Sequence, residues 1–80
     1  MRIDKFLKVS RIIKRRTVAS DACEQGKVSV NGKVAKPSTP VKEGDIVEVT
    51  FGERVFKAEV ITIAEHVLKG DAQSMYKQLS

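Results

Sequence analysis

MRIDKFLKVSRIIKRRTVASDACEQGKVSVNGKVAK, residues 1–36, changes its hydrophobic period once, at Lys27, and that change decides the fold. Before it, Arg2–Ile13 follows a helical spacing. At 100° per residue, Ile3, Phe6 and Leu7 fall within one arc while Arg2, Lys5 and Lys8 fall on the adjoining one. Asp4 stands in the first turn, where a carboxylate suits the positive end of the helix dipole. Ser10–Arg16 reads as a basic connector anchored by Ile12 and Ile13. Thr17 is the expected N-cap of a second helix, because a hydroxyl there accepts an orphan backbone N–H. Val18, Ala19, Ala22 and Cys23 share a face of that helix, and Gly26 is placed to end it in the left-handed conformation.

From Lys27 the period is two. Val28, Val30 and Val34 alternate with polar residues around Asn31–Gly32, a tight-turn signal. Pro37 and Pro40 bracket an irregular passage, and Glu43–Gly44–Asp45 is a turn. Val47, Val49 and Phe51 then line one side of a strand. Gly52–Glu53 reverses the chain, and Phe56, Ala58 and Val60 return along Arg54–Ile63. Ala64–Gly70 reads as a connector. Asp71 is the expected cap of a last short helix carrying Ala72, Met75, Tyr76 and Leu79. The reading is α+β: two N-terminal helices packed on a small antiparallel sheet, then a short C-terminal helix, as a single domain over residues 1–80. Residues 1–50 form its motif core, and 51–80 supply the second hairpin and the final helix.

Charge is polarised along the chain. Residues 1–36 hold ten basic against three acidic side chains, net +7, whereas residues 37–80 hold five against seven, net −2. Such asymmetry is an argument about partners, and phosphate is the commonest one. A chain of 80 residues buries only roughly 60% of its unfolded surface, so the core is thin. The lone Cys23 has no partner for an internal disulfide, which suits a reducing compartment. No run approaches the roughly 20 apolar residues of a membrane span, and the charged N-terminus is unlike a signal peptide. A cytoplasmic protein is expected.

No catalytic constellation is visible. One His and one Cys cannot make a paired metal site, and no glycine-rich nucleotide loop is present. Cys23 reads as a packed thiol and His66 as a surface residue of a connector. No catalytic residue, cofactor, metal or small-molecule substrate is expected. The cations differ. Lys5, Lys8 and Lys14 taken singly are an ordinary solvated helix face, but with Arg2, Arg11, Arg15 and Arg16 they form an anion-binding patch. Arginine's planar fork grips phosphate at two points. Arg15 and Arg16 also precede a helix N-terminus, which favours phosphate. Thr17 can cap the helix or donate to a phosphate. Lys27, Asn31, Lys33 and Lys36 can extend the patch, although turn geometry alone accounts for Asn31. No large apolar residues interleave with the charges, so a membrane surface fits poorly. Four aromatics are too few for a stacking groove, which leaves structured RNA read by shape.

R-I-D-K-F-L, then S-R, R-R-T, E-x-G-x-V-x-V-N-G and K-E-G-D-x-V, in that order over about the first fifty residues, resembles the RNA-binding domain named after the fourth protein of the small ribosomal subunit, the αL motif. K-F-L-K-V-S-R-I-I-K-R-R-T and the terminal A-x-x-M-Y-x-x-L are most similar to its stand-alone bacterial branch called RqcP, related to the fifteen-kilodalton heat-shock protein. The resemblance implies a non-enzymatic RNA-binding factor of ribosome-associated quality control. It would bind large-subunit rRNA and P-site peptidyl-tRNA after stalling, as a monomer, and support alanine tailing by RqcH on the same subunit. By motif position, Arg2, Asp4, Lys5, Arg16 and Thr17 would carry RNA contacts. Asp4 either orients a neighbouring Arg or serves the helix dipole. Two alternatives stand beside this: a general structured-RNA chaperone or regulator, and an RNA-affinity subunit of a modification enzyme.

Overall fold

Ile3, Phe6 and Leu7 are fully buried, so the helical arc read from residues 2–7 is the face that enters the core. The computed structural model of the chain describes residues 1–64 and 69–79. Helix α1 spans Ile3–Val9 and α2 spans Arg16–Glu24. Strands β1 (Val28–Val30), β2 (Lys33–Val34), β3 (Ile46–Phe51), β4 (Arg54–Val60) and β5 (Tyr76–Gln78) form one antiparallel sheet, ordered β2-β1-β3-β4-β5. Val28 pairs with Val49, which pairs with Phe56; Val30 pairs with Val47, which pairs with Ala58. These rows join the buried side chains of both helices in one cluster, so the helices cover one face of the sheet. The opposite face carries the Ser29, Glu48 and Lys57 row, in which unlike charges sit directly across from each other. The α+β reading is the observed architecture.

Helix α1 stops at Val9, four residues before its apolar period does. Ser10 is its C-cap, and Arg11 follows at φ 63°, the left-handed position that glycine usually fills. Arg11 N–H donates to Lys8 O at 3.1 Å and Ile13 N–H to Leu7 O at 3.0 Å, so the end is hydrogen-bonded. A non-glycine residue held there costs about 1–2 kcal/mol. Burial of Ile13 two residues on anchors the turn. Helix α2 ends as read: Gly26 sits at φ 76°, its N–H bonds Cys23 O at 3.0 Å, and Lys27 N–H bonds Ala22 O at 2.9 Å.

The β1–β2 turn is the expected one, with Asn31 at φ 51° and Gly32 at φ 82°. It corrects the reading of Val34, however. A two-residue turn pairs Val30 with Lys33 and Ser29 with Val34, so Val34 leaves the face of Val28 and Val30 and is exposed. Ala35 takes the buried place instead. The C-terminal end also differs from expectation. Residues Lys69–Met75 form a 3-10 helix, in which the three-residue interval between buried Ala72 and Met75 fits the tighter turn. Tyr76–Gln78 then pairs along β4, placing Tyr76 edge-on to Phe56 at 5.8 Å. Docking there covers the edge that β4 would otherwise expose. His66 and most of the expected connector lie outside the described residues.

Phe6 has no accessible surface and sits between the helices and the sheet, so Phe6→Ala should destabilise the fold by about 3–5 kcal/mol. Urea unfolding followed by circular dichroism measures this. A loss below about 1 kcal/mol would mean that α1 is not packed as described.

Candidate nucleic-acid interface

The chain's first residues are strapped down before α1 begins. Ile3 N–H donates to Thr39 O at 2.8 Å, Val41 N–H donates to Met1 O at 2.9 Å, and Arg2 bridges Pro40 in an antiparallel pairing. This fixes the backbone of Arg2 in extended geometry one residue ahead of the helix. Asp4, in the first turn, is buried, and its carboxylate accepts Lys5 N–H at 2.7 Å. It also meets two guanidinium groups: Arg2 at 3.0 Å and Arg16 at 3.5 Å. Arg16 is the first residue of α2, so one carboxylate ties together the starts of both helices.

Both arginine side chains remain about half exposed, at 52% and 46%. A guanidinium has five donors in a fixed fork, so binding Asp4 leaves donors that face solvent. Arg2 and Arg16 are therefore held at a set spacing with unspent hydrogen-bonding capacity, an arrangement suited to phosphate oxygens. Asp4 itself is too deeply placed to form part of the contact surface. The geometry displays both of its sequence readings: Asp4 stands in the first turn of α1, and it holds neighbouring arginines.

The N-cap expectation for Thr17 is overturned. Helix α2 starts two residues earlier, with Arg15 as the N-cap in extended geometry and Ala19 N–H bonded to Arg15 O at 3.0 Å. Thr17 lies inside the first turn with its side chain exposed beside Arg15 and Arg16.

The remaining cations spread along neighbouring elements. Lys5 is half-buried on α1 and Lys8 is exposed in its last turn. Arg11, Lys14 and Arg15 are exposed on the turn between the helices. Lys36 lines a groove of about 630 Å³ together with Arg2 and Glu24, which brings the end of the first hairpin back towards the arginine pair. Lys27 sits at the entry to β1, and Lys33 on β2 at the sheet edge. Asn31 is engaged within the fold. Its amide nitrogen donates to Asp45 at 3.1 Å, and its amide oxygen accepts Ile46 N–H at 2.9 Å. That leaves Asn31 as the brace between the first hairpin and β3.

The Asp4 hub was only half legible in sequence. An acid two residues from one arginine is a local signal, whereas its pairing with Arg16, twelve residues on, is not. Among the described residues, no group of three or more His, Cys, Asp or Glu side chains could hold a metal ion, and no helix is long and apolar enough to cross a membrane. Cys23 is buried at the α1–α2 contact. Burial first, then the Asp4 and Glu24 carboxylates, push its thiol up to about 11.

Comparison with known proteins agrees with this geometry. The S4 domain matches residues 1–47. The chain is similar to the RQC P-site tRNA stabilizing factor of Halalkalibacterium halodurans, 52% identical over 77 residues, covering 96% of this chain and 88% of that one. It is likewise similar to the factor of the same name from Streptococcus pneumoniae, 48% identical over 80 residues, covering 100% and 91%. Among solved structures, the trimeric structure of Vibrio cholerae Heat Shock Protein 15 superposes with a TM-score of 0.90 at 31% identity, over 100% of this chain and 82% of that one.

With its thiol held protonated, Cys23 should react with iodoacetamide at pH 8 about a hundredfold more slowly than an ordinary cysteine in the urea-unfolded chain. Mass spectrometry of timed aliquots gives the ratio. Equal rates would mean that Cys23 is not enclosed by the two helices.

Proposed function

Because this chain belongs to the S4 domain family, we propose that it is a non-enzymatic RNA-binding factor of ribosome-associated quality control. It binds the large ribosomal subunit that still carries peptidyl-tRNA after stalling. In this reading it contacts rRNA and the P-site tRNA together and steadies the tRNA while RqcH, on the same subunit, adds C-terminal alanines. It acts as a monomer in the cytoplasm. The names carried by the relatives from Halalkalibacterium halodurans and Streptococcus pneumoniae support the tRNA-stabilising role.

The observation that carries the reading is the pair of half-exposed arginines held by one buried carboxylate. Prepositioned guanidinium groups lose little freedom on meeting phosphate, so more of the contact energy appears as affinity. Arg2 and Arg16 are the central contacts, with Lys5, Thr17, Arg15, Lys14, Arg11 and Lys8 along the helical side and Lys27 and Lys33 along the hairpin side. Asp4 is a positioning residue. A factor that bridges two RNAs needs cations on more than one element, and here they stand on both helices, the turn between them and the first hairpin.

Removing one fork should be felt strongly. Arg16→Ala should weaken co-sedimentation with large subunits carrying peptidyl-tRNA by roughly tenfold or more and stop alanine tailing, while the thermal melt falls but the chain stays folded, because Asp4 keeps Arg2 and the Lys5 N–H as partners. Wild-type binding should weaken with salt along a log–log slope of about −0.7 to −0.9 per phosphate neutralised. Unchanged sedimentation of Arg16→Ala would count against the reading. Equal competition by naked RNA hairpins would favour a general RNA chaperone instead.

A further inference from the structure

Phe51 is an aromatic ring on the helix-facing side of the sheet that the core does not enclose. It continues the row of Val47 and Val49, both fully buried, yet it is 47% exposed at the tip of the β3–β4 hairpin. The chain's other three aromatics are engaged: Phe6 is fully buried, and Phe56 and Tyr76 pack edge to face. Beside Phe51 lies Val18 of α2, 49% exposed, so two large apolar groups meet solvent together. Hollows of about 420 and 410 Å³ adjoin this pair, and both Phe51 and Val18 line each of them.

The charges around these hollows suggest what covers the ring. Lys14 and Arg15 line the smaller one, and Lys27 lines the larger, facing only one lining carboxylate, Asp21. Cations thus stand on either side of an exposed ring, and Lys14 and Arg15 lead directly into Arg16 of the proposed RNA surface. A strip this narrow falls well short of the roughly 800 Å² per partner of a stable protein interface. One unpaired base, in contrast, needs one ring face and phosphate partners to either side.

We infer that Phe51 is a stacking platform for an unpaired nucleobase of the bound RNA, with Val18 closing one edge. Lys14 and Arg15 meet the backbone on one side of that base, and Lys27 meets it on the other. This rests on the RNA-binding reading above and adds to it a contact that the twofold cation count does not contain. It also explains why an apolar ring is left uncovered beside the most basic turn of the chain.

The test is co-sedimentation of the full chain with large ribosomal subunits carrying peptidyl-tRNA, using three variants at Phe51 with Arg16→Ala alongside. Phe51→Ala and Phe51→Leu should each weaken binding by between about fivefold and a hundredfold, the range for loss of one base–aromatic stack. Phe51→Tyr, which keeps the ring face, should stay within about twofold of wild type. Circular dichroism and thermal melts of each variant establish that the fold is retained. If Phe51→Leu binds as wild type while Phe51→Ala does not, the contact is apolar rather than stacked, a protein surface is the partner, and the inference is overturned. If all three Phe51 variants bind as wild type while Arg16→Ala is lost, the inference fails and the RNA reading stands. If Arg16→Ala also binds as wild type, the RNA reading fails and takes the stacking platform with it.

Discussion

A carboxylate placed inside a protein must be met by donors, because an uncompensated buried charge is costly. Asp4 is such a group, and most of what this molecule offers a partner follows from how it is satisfied. One donor is local, the Lys5 N–H; two more among the described residues are guanidinium groups from the starts of the two helices. Meeting the requirement of Asp4 therefore brings Arg2 and Arg16 to one place. Their remaining donors point outwards. The same interaction ties α1 to α2 and, in the proposed reading, presents two guanidinium groups to phosphate, so packing and the proposed recognition share one atom group.

Such sharing suits a domain with little core to draw on. The N-terminus is held by backbone bonds to residues 39 and 41, the first hairpin is braced to β3 through Asn31 and Asp45, and β5 covers the edge of β4. Each device replaces the apolar area that a larger domain would use. The left-handed Arg11 belongs to the same economy. Its strain is tolerated because Ile13 is buried just beyond it, and the turn so formed presents Lys14 and Arg15 ahead of α2. These two exposed cations thus lie on a short turn whose two ends are fixed by packing.

The surface is organised by flank. Lys36 and Arg2 line one groove, Lys14 and Arg15 line a hollow beside Phe51, and Lys27 lines the neighbouring one where the second hairpin meets α2. A partner that met only one flank would leave much of this charge unused. A folded RNA assembly, with phosphates on several strands, can meet more than one.

Sequence by itself determined the local elements and the sign of the partner. The helical arc of Ile3, Phe6 and Leu7, the stop at Gly26, the Asn31–Gly32 turn and the excess of cations in residues 1–36 all depend on neighbours a few residues apart, which a short window contains. The order of motifs over the first fifty residues pointed to the family for the same reason. Tertiary structure alone decided the rest. It ended α1 at Val9, moved the N-cap of α2 from Thr17 back to Arg15, turned the C-terminal stretch into a 3-10 turn and a strand, and placed Phe51 beside Val18. For the last two the deciding partner is distant in the chain: β4 for residues 76–78 and α2 for Phe51. Periodicity tells a residue which way to face, but only the assembled fold supplies what it faces.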